Sequence, residues 1–195
     1  MKIALLIYGQ PRFLSNPRSH SSHKKHLFDK HEVDVFTHYW LPSDEKTFEY
    51  SSWITNIKSN ILEKNIPKKI EDLYNPLFSE RDCKICFEND HLELKKYIKE
   101  YFNDPFYINI NNLFSHLWSF EKTIEIFNNN KNVDYDFFVI SRYDNYIEMI
   151  PDFETLKKKK WYCSNHHNRF PDLMYIGDPI LLENYKPYSK MSDNL

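Results

Sequence analysis

Glycine is scarce in this chain, which has only Gly9 and Gly177 among its 195 residues. The phosphate-binding loops of P-loop enzymes and of dinucleotide-binding domains need several glycines close together, because the backbone must turn tightly against a phosphate. Both classes are therefore excluded. The scarcity also marks each glycine as a position where a special backbone geometry is expected.

Long apolar runs and an excess of positive charge are also lacking. The apolar segment from Ile3 to Ile7 is too short for a signal sequence or a membrane span. The 26 Lys and Arg residues are offset by 28 Asp and Glu residues, for a net charge of −2. Nucleic-acid binders usually carry a strong basic excess. We therefore expect neither a nucleic-acid partner nor a membrane span, and predict a cytoplasmic location.

Cysteine is rare and odd in number, with Cys83, Cys86 and Cys163 only. This is a poor disulfide framework and indicates a reducing compartment. The pairs Cys83/Cys86 (C-x-x-C) and Cys163/His166 (C-x-x-H) have spacings found in tetrahedral zinc sites. A strand predicted at residues 84–88 opposes this, because an odd offset points two strand side chains to opposite faces. A zinc-stabilised interaction domain is therefore the less favoured alternative.

Apolar residues make up 41% of the chain, enough for one domain with a hydrophobic core. Continuous apolar and β-branched runs predict buried strands at residues 2–8, 33–40 and 136–141. Spacings of three and four apolar residues predict helices. The helices are predicted at 51–64, 91–102 and 113–127, further strands at 84–88, 161–163 and 173–176, a short helix within the mainly loop-like segment 15–31, and a closing helical turn at 179–185. This alternation predicts one α/β domain over residues 1–195, with a Rossmann-like, mostly parallel sheet flanked by helices.

Chemically useful residues follow two of the predicted strands. Ligands of open α/β sheets bind beyond the carboxyl ends of the strands. Gly9 to Arg12 follows the first strand, where Gly9 permits a sharp turn and the Arg12 guanidinium can bind a diphosphate. Arg142 and Asp144 follow the strand at 136–141, where the alternative is a local Arg–Asp pair or a turn cap. An aspartate can hold Mg²⁺ or Mn²⁺ that bridges two phosphates, whereas an arginine neutralises them directly.

His38 and Trp40 occupy alternate positions of the second strand, so their side chains share one face. With Tyr39 they could line a pocket. A histidine near a strand end is more often structural, and both interpretations of His38 stay open. The histidines at 20, 23, 26 and 31 lie in a polar segment and are predicted to be solvated.

Three segments, taken in order, resemble GT-A-like glycosyltransferases of bacteria and viruses, which build capsule, lipopolysaccharide or viral glycans. The segments are IYGQPRF at residues 7–13, DVFTHYW at 34–40 and YDFFVISRYD at 135–144. The helix at 112–127 and DLMYIG at 172–177 extend the similarity over most of residues 1–185. The order and spacing of the segments carry the resemblance, rather than any single motif.

The resemblance implies a GT-A fold in which the first strand and its loop hold the nucleotide. The implied nucleotide-sugar contacts are Tyr8, Gly9, Gln10 and Arg12. Arg142-Tyr143-Asp144 occupies the place of the D-x-D element that holds metal and diphosphate. Since arginine replaces the first acid, either Asp144 ligates Mn²⁺ or Mg²⁺, or Arg142 does the work of the metal.

Late acidic residues complete the expected site. Asp172 matches a position suited to a general base for an acceptor hydroxyl, and Asp178 is the second choice. We therefore expect an enzyme that moves a sugar from a nucleotide-diphosphate sugar to a hydroxyl of a glycan or glycolipid. The alternative from the same fold is a non-catalytic module that binds nucleotide or glycan, because 195 residues is short for an acceptor site. A sugar-1-phosphate nucleotidyltransferase is disfavoured because its first loop needs more glycine than Gly9.

Overall fold

The computed structural model describes residues 1–15, 18–41, 64–83, 86–87, 110–164 and 174–185, with the backbone alone for 110–114. Six strands lie in this part of the chain: β1 (Lys2–Gly9), β2 (Glu32–Leu41), β3 (Phe78–Cys83), β4 (Phe137–Arg142), β5 (Trp161–Cys163) and β6 (Met174–Gly177). Its helices are α1 (Arg18–His23), which continues as a π-helical segment (Lys24–Phe28), α2 (Ile66–Tyr74), α3 (Ile110–Asn130), a 3₁₀ turn (Phe153–Thr155) and α4 (Ile180–Glu183).

The strands form one sheet in the order β3-β2-β1-β4-β6-β5. Strands β1 to β4 are mutually parallel, whereas β6 runs antiparallel to both β4 and β5. The predicted α/β architecture, with a mostly parallel sheet flanked by helices, is confirmed. The predicted strands at 2–8, 33–40, 136–141, 161–163 and 173–176 agree with β1, β2, β4, β5 and β6 to within about two residues.

The central strand β1 is buried on both faces. Ile3, Leu5 and Ile7 pack into one apolar cluster, whereas Ala4, Leu6 and Tyr8 pack into another that includes residues of α3. All five residues from Ile3 to Ile7, including Ala4, are fully buried. A strand covered on both faces cannot alternate apolar and polar residues, and this explains its continuous apolar run.

The edge strand β3 was not predicted where it lies. Its sequence FSERDC is polar and largely exposed, so it lacks the apolar signal of a buried strand. The predicted strand at 84–88 is wrong at Cys86 and Phe87, which are helical. The helix α2 was missed as well. The predicted helices at 51–64 and 91–102 lie outside the described residues, except for Lys64, which is not helical.

The histidines of the first helical segment are not all solvated, contrary to the prediction. His23 is fully buried and His26 is 9% exposed. The ring of His23 has a partner on each side, since Nδ1 lies 3.2 Å from the Tyr74 hydroxyl and Nε2 lies 3.4 Å from Ser141 Oγ. Burial lowers the pKa of His23 to about 4, so the ring is neutral at physiological pH.

Within the described ranges, none of the helices is both long and apolar enough to cross a bilayer.

Candidate functional site

The order of the strands reverses at β1. The chain proceeds from β1 outward through β2 to β3, and then returns to β4 on the other side of β1. Such a reversal opens a crevice beyond the carboxyl ends of the two strands that flank it, and ligands of open α/β sheets bind there. The segment from Gly9 to Arg12 leaves β1 at this crevice, and Arg142 to Asp144 leaves β4 beside it.

Three charged side chains meet at the crevice. Arg142 forks onto Asp144, with Nε 2.8 Å from Oδ1 and Nη2 2.7 Å from Oδ2. Arg12 reaches the same carboxylate from β1, with Nη1 3.4 Å from Oδ2. The side chains of Arg12 and Arg142 are each 16% exposed and that of Asp144 is 12% exposed. Two guanidinium groups and one carboxylate leave the cluster with a formal charge of +1, which suits an anionic ligand.

The local chain orients Arg12. Gln10 Oε1 accepts hydrogen bonds from Arg12 Nε at 2.9 Å and from Nη2 at 2.7 Å. The Arg12 amide also donates to the Gln10 carbonyl oxygen at 2.8 Å, which closes a tight turn around the buried Pro11. The guanidinium is therefore held between Gln10 and Asp144, and little rotamer entropy is lost when it binds a ligand.

Asp144 is also the predicted metal ligand. Both of its oxygens accept hydrogen bonds from arginine, and a divalent cation there would have to displace a guanidinium group. Among the described residues, no three His, Cys, Asp or Glu side chains cluster as metal ligands do. This donor set does not fit a resident Mg²⁺ or Mn²⁺ by itself, so no step below depends on one. Metal use by Asp144 stays a prediction.

Gly9 ends β1 in a backbone conformation that requires glycine. Its φ is +99°, in the left-handed region, and a Cβ added there would meet no atom of the described residues within 4 Å apart from its chain neighbours. In the described part of the chain, space is therefore open above the Gly9 backbone. The Gly9 N–H points inward instead and donates to Ser119 Oγ of α3 at 2.8 Å. The first turn of the crevice is thus tied to the longest described helix.

A hydrogen-bonded chain continues from the buried Ser119 through the buried His38 to Asp82, whose side chain is 41% exposed. Ser119 Oγ lies 2.7 Å from His38 Nδ1, and His38 Nε2 lies 3.1 Å from Asp82 Oδ2. One proton arrangement satisfies every member: Gly9 donates to Ser119, Ser119 donates to Nδ1, and Nε2–H donates to Asp82. The bond from His38, together with one of 2.7 Å from the Trp118 indole, lowers the pKa of Asp82 to about 2.

This Ser–His–Asp chain is not arranged as a hydrolase triad. Ser119 is fully buried and its oxygen accepts the Gly9 N–H, so it presents no nucleophile at the surface. The chain instead connects the carboxyl ends of β1, β2 and β3. Through the hydrogen bond from the Gly9 N–H to Ser119, this network holds the turn at Gly9 in place.

The structure brings together five of the predicted site residues: Gly9, Gln10, Arg12, Arg142 and Asp144. Tyr8 and His38 are each only 1% exposed. The Tyr8 hydroxyl lies 3.2 Å from His116 Nε2, and its ring packs edge-on against Phe120. His38 shares its face with Trp40, as predicted, at a ring distance of 5.4 Å. Tyr8 and His38 are therefore buried beneath the crevice and do not line its surface.

The two predicted catalytic acids have different outcomes. Asp172 lies outside the described residues. Asp178 follows β6, whose last residue Gly177 pairs with Phe138 near the start of β4. Four residues of β4 separate that position from Arg142, about 13 Å at 3.3 Å per residue. Asp178 instead accepts hydrogen bonds from the amides of Lys159 and Ile180. Asp178 thus caps backbone amides at the end of the strands opposite the crevice.

The prediction of an alternative zinc site is wrong. Cys83 ends β3 and Cys163 ends β5, and these strands are the two edges of the sheet. Five interstrand spacings separate them, about 24 Å. One zinc ion needs all its sulfur ligands within about 2.3 Å. His166 lies outside the described residues. The three cysteines are thiols outside any disulfide.

Sequence reasoning missed Ser119, Asp82 and Trp118. Ser119 lies on the buried face of a helix whose apolar spacing was recognised, and a serine on such a face is a signal for a buried partner. Asp82 belongs to the polar strand β3 that was not predicted. Its relation to His38 depends on the pairing of β2 with β3, which the sequence pattern does not reveal.

Comparison of the chain with protein-family models, with curated proteins and with solved structures found no match.

Proposed function

We propose that this protein is a glycosyltransferase that moves a sugar from a nucleotide-diphosphate sugar to a hydroxyl group of a glycan or glycolipid. One observation carries the proposal: Arg12 and Arg142 converge on Asp144 at the crevice where the strand order reverses. A cationic pair at that position suits a diphosphate. The segments that resemble GT-A-like enzymes supply the same residues, and a GT-A type of sheet is part of the proposal.

In the proposed complex, the diphosphate takes hydrogen bonds from Arg12 and Arg142. These bonds replace part of the interaction between the guanidinium groups and Asp144. The free-energy cost of desolvating the diphosphate is then offset by hydrogen bonds from donors whose orientation is already fixed. The nucleoside extends over Gly9, where no atom of the described residues other than its chain neighbours lies within 4 Å of the position of a Cβ. The hydrogen-bonded chain from Ser119 to Asp82 holds that surface in place.

The reaction joins the acceptor hydroxyl oxygen to the anomeric carbon of the donor. The bond between that carbon and the diphosphate oxygen breaks, and its electron pair leaves with the nucleoside diphosphate. Negative charge therefore grows on the diphosphate in the transition state, next to two guanidinium groups with fixed orientation. Preorganised donors of this kind stabilise the transition state without reorganising during the reaction.

The hydroxyl proton must pass to a base if the configuration at the anomeric carbon is inverted. Asp172 stays the predicted base. The capping contacts of Asp178 and its place at the end of the strands opposite the crevice argue against it in this role.

The proposal is tested by the thermal stability of the protein with a panel of nucleotide-sugars and nucleoside diphosphates, each with Mn²⁺ or with EDTA. A ligand that binds only the folded state stabilises it by about 2.7 kcal/mol at 100 times its Kd. For a domain of this size, this corresponds to a rise in Tm of roughly 5–10 °C. We expect one nucleotide to raise Tm selectively, and its sugar conjugate to be hydrolysed slowly when no acceptor is present.

The matched variants are Arg12→Ala with Arg142→Ala, and Arg81→Ala as control. Arg81 is an exposed arginine on the edge strand β3, which β2 separates from β1. We expect the double variant to lose the Tm shift while the control keeps it. Nucleotide binding without any turnover of donor would favour the non-catalytic module. A double variant that binds as tightly as the original protein would overturn the proposed site.

A further inference from the structure

A cleft of about 500 Å³ opens beside the arginine cluster. It begins at Asn145, the residue after Asp144, and extends along the loop to Pro151. Its other wall is formed by the ends of β5 and β6, including Cys163 and Met174. This volume lies within the range of small-molecule binding sites. The cleft is continuous in sequence with the proposed diphosphate site, and it contains none of the residues assigned to that site.

The loop wall of the cleft is anchored at several points. The Asn145 amide donates to the Arg142 carbonyl oxygen at 3.2 Å, and its side-chain Nδ2 donates to Ser141 Oγ at 3.0 Å. Two residues further on, the Ile147 amide donates to Ser22 Oγ at 2.9 Å. Tyr143 is buried and its hydroxyl contacts Thr37. The loop is therefore preorganised, which lowers the entropic cost of binding.

The floor of the cleft is apolar. Ile147, Met174 and Ile176 form it and are 3%, 8% and 2% exposed. Large apolar side chains also stand at its mouth, where Tyr146 is 62% exposed and Met149 is 82% exposed. Large apolar side chains that are exposed next to one another, rather than singly, indicate a binding surface. A flexible thioether and a tyrosine ring adapt well to a ligand with an apolar part.

Polar groups line both walls of the cleft. Asn145 lies next to Asp144, where the reacting sugar of the donor would end, and Glu148 is an exposed carboxylate on the loop wall. On the opposite wall Ser164 follows β5, and its Oγ is buried without a hydrogen-bond partner among the described residues. The apolar floor lies between the two walls. A ligand that matches this lining has hydroxyl groups that face the walls and an apolar group that covers the floor.

We infer that this cleft binds the acceptor, and that the acceptor is a glycoside with an apolar aglycone rather than the end of a wholly polar polysaccharide. The inference rests on the proposed function. The acceptor sugar lies at Asn145 with its hydroxyl toward the donor, and the aglycone lies against Ile147, Met149 and Met174. The acceptor hydroxyl oxygen attacks the anomeric carbon of the donor as the nucleoside diphosphate leaves.

Cys163 provides a direct probe, because its exposed thiol lines the cleft. The experiment measures alkylation of each cysteine by iodoacetamide, resolved by mass spectrometry of peptides, with 4-nitrophenyl glycosides of several hexoses and with the matching methyl glycosides. Cys86 is the internal control, since it is also exposed and follows β3 at the opposite edge of the sheet. The Tm is recorded in the same samples.

We expect at least one 4-nitrophenyl glycoside to slow alkylation of Cys163, by roughly tenfold when the glycoside is at ten times its Kd. The matching methyl glycoside protects less at the same concentration, and the rate at Cys86 does not change. The double variant Tyr146→Ser, Met149→Ser loses the protection. Leu77→Ser, which changes an apolar residue that is 46% exposed outside the cleft, keeps it.

The outcomes separate this inference from the proposed function. Nucleotide binding without protection of Cys163 or a Tm shift by any glycoside overturns the inference and leaves the proposed function standing. Protection by methyl and 4-nitrophenyl glycosides alike overturns the apolar aglycone. Protection by a glycoside in a protein that binds no nucleotide supports the cleft as a glycoside site and overturns its role as the acceptor site of a transferase.

Discussion

Arg142 and Asp144 form a bidentate ion pair at the end of β4. Nε and Nη2 of the guanidinium each donate to a different carboxylate oxygen, at 2.8 and 2.7 Å. The two residues whose pattern resembles the D-x-D element of GT-A-like enzymes are thus bound to each other. Asp144 positions both arginines and also competes with any anion for them. The two roles predict different results when its charge is removed.

We expect Asp144→Asn to bind the nucleoside diphosphate more tightly. The formal charge of the cluster rises from +1 to +2, while the amide oxygen still accepts a hydrogen bond. Because the side chains of the cluster keep some contact with solvent, removal of one charge should change the binding free energy by about 1 kcal/mol, so the Kd should fall by about fivefold, equally with Mn²⁺ and with EDTA. Isothermal titration calorimetry measures this. Binding that needs Mn²⁺ in the original protein and is lost in Asp144→Asn would assign Asp144 to a metal instead.

Ser119→Ala removes the acceptor of the Gly9 N–H and the partner of His38 Nδ1. Two buried polar groups are then left without that partner, which predicts a loss of about 2 kcal/mol in the free energy of unfolding. Nucleotide affinity should fall as well, because the turn at Gly9 is no longer held. Urea denaturation and calorimetry check the two effects. Ser79→Ala, at an exposed position of β3, is the control, and equal effects in both variants would contradict the role of Ser119.

The two glycines are expected to resist substitution for different reasons. The new Cβ of Gly9→Ala meets no atom of the described residues within 4 Å apart from its chain neighbours, but the φ of +99° is strained for any residue with a Cβ. A cost of about 1–3 kcal/mol is expected. In Gly177→Ala the new Cβ would lie 2.7 Å from Phe138 Cζ, so the cost is steric. Phe138→Leu combined with Gly177→Ala should therefore recover part of the lost stability. The same second change combined with Gly9→Ala should recover none.

His23 predicts an acid-sensitive fold. Its pKa is lowered from 6.5 to about 4 by burial, so the unfolded state binds more protons between these values. Stability then falls as the pH decreases from 6.5 to 4, by about 3 kcal/mol in total. Urea denaturation across this range should show a shallower slope for His23→Gln. His31→Gln, at a half-buried position, should flatten it less. An unchanged slope in His23→Gln would argue against this source of the pH dependence.

The predictable parts of the fold are those in which burial determines the pattern of apolar residues. β1 and β4 are apolar without interruption because both faces are covered, and the spacing of apolar residues in α3 follows one buried face. The predicted helix at 113–127 lies within Ile110–Asn130. The edge strand β3 escaped prediction because exposed strands need no apolar residues. Prediction from apolar pattern therefore recovers the centre of a sheet better than its edges.

The site divides in the same way. Gly9, Arg12, Arg142 and Asp144 were identified because each follows a buried strand, and parallel strands end at one edge. Their mutual contacts need the order of the strands, which places β4 beside β1 rather than beside β3. His38 was recognised as a residue of interest, but its role depends on Ser119 and Asp82. These partners are 81 and 44 residues away in sequence.

The pairing of β1 with both β2 and β4 has a consequence for folding. Arg12 and Asp144 are separated by 132 residues in sequence. A contact of such long range has a large loop-closure entropy and forms slowly compared with local pairs. β1 can pair with β2 early in synthesis, yet its second edge stays open until β4 has been made. The crevice that we propose to bind anions is therefore complete only when the central sheet of the growing chain closes, so that ligand binding would report on complete folding rather than on the first strands alone.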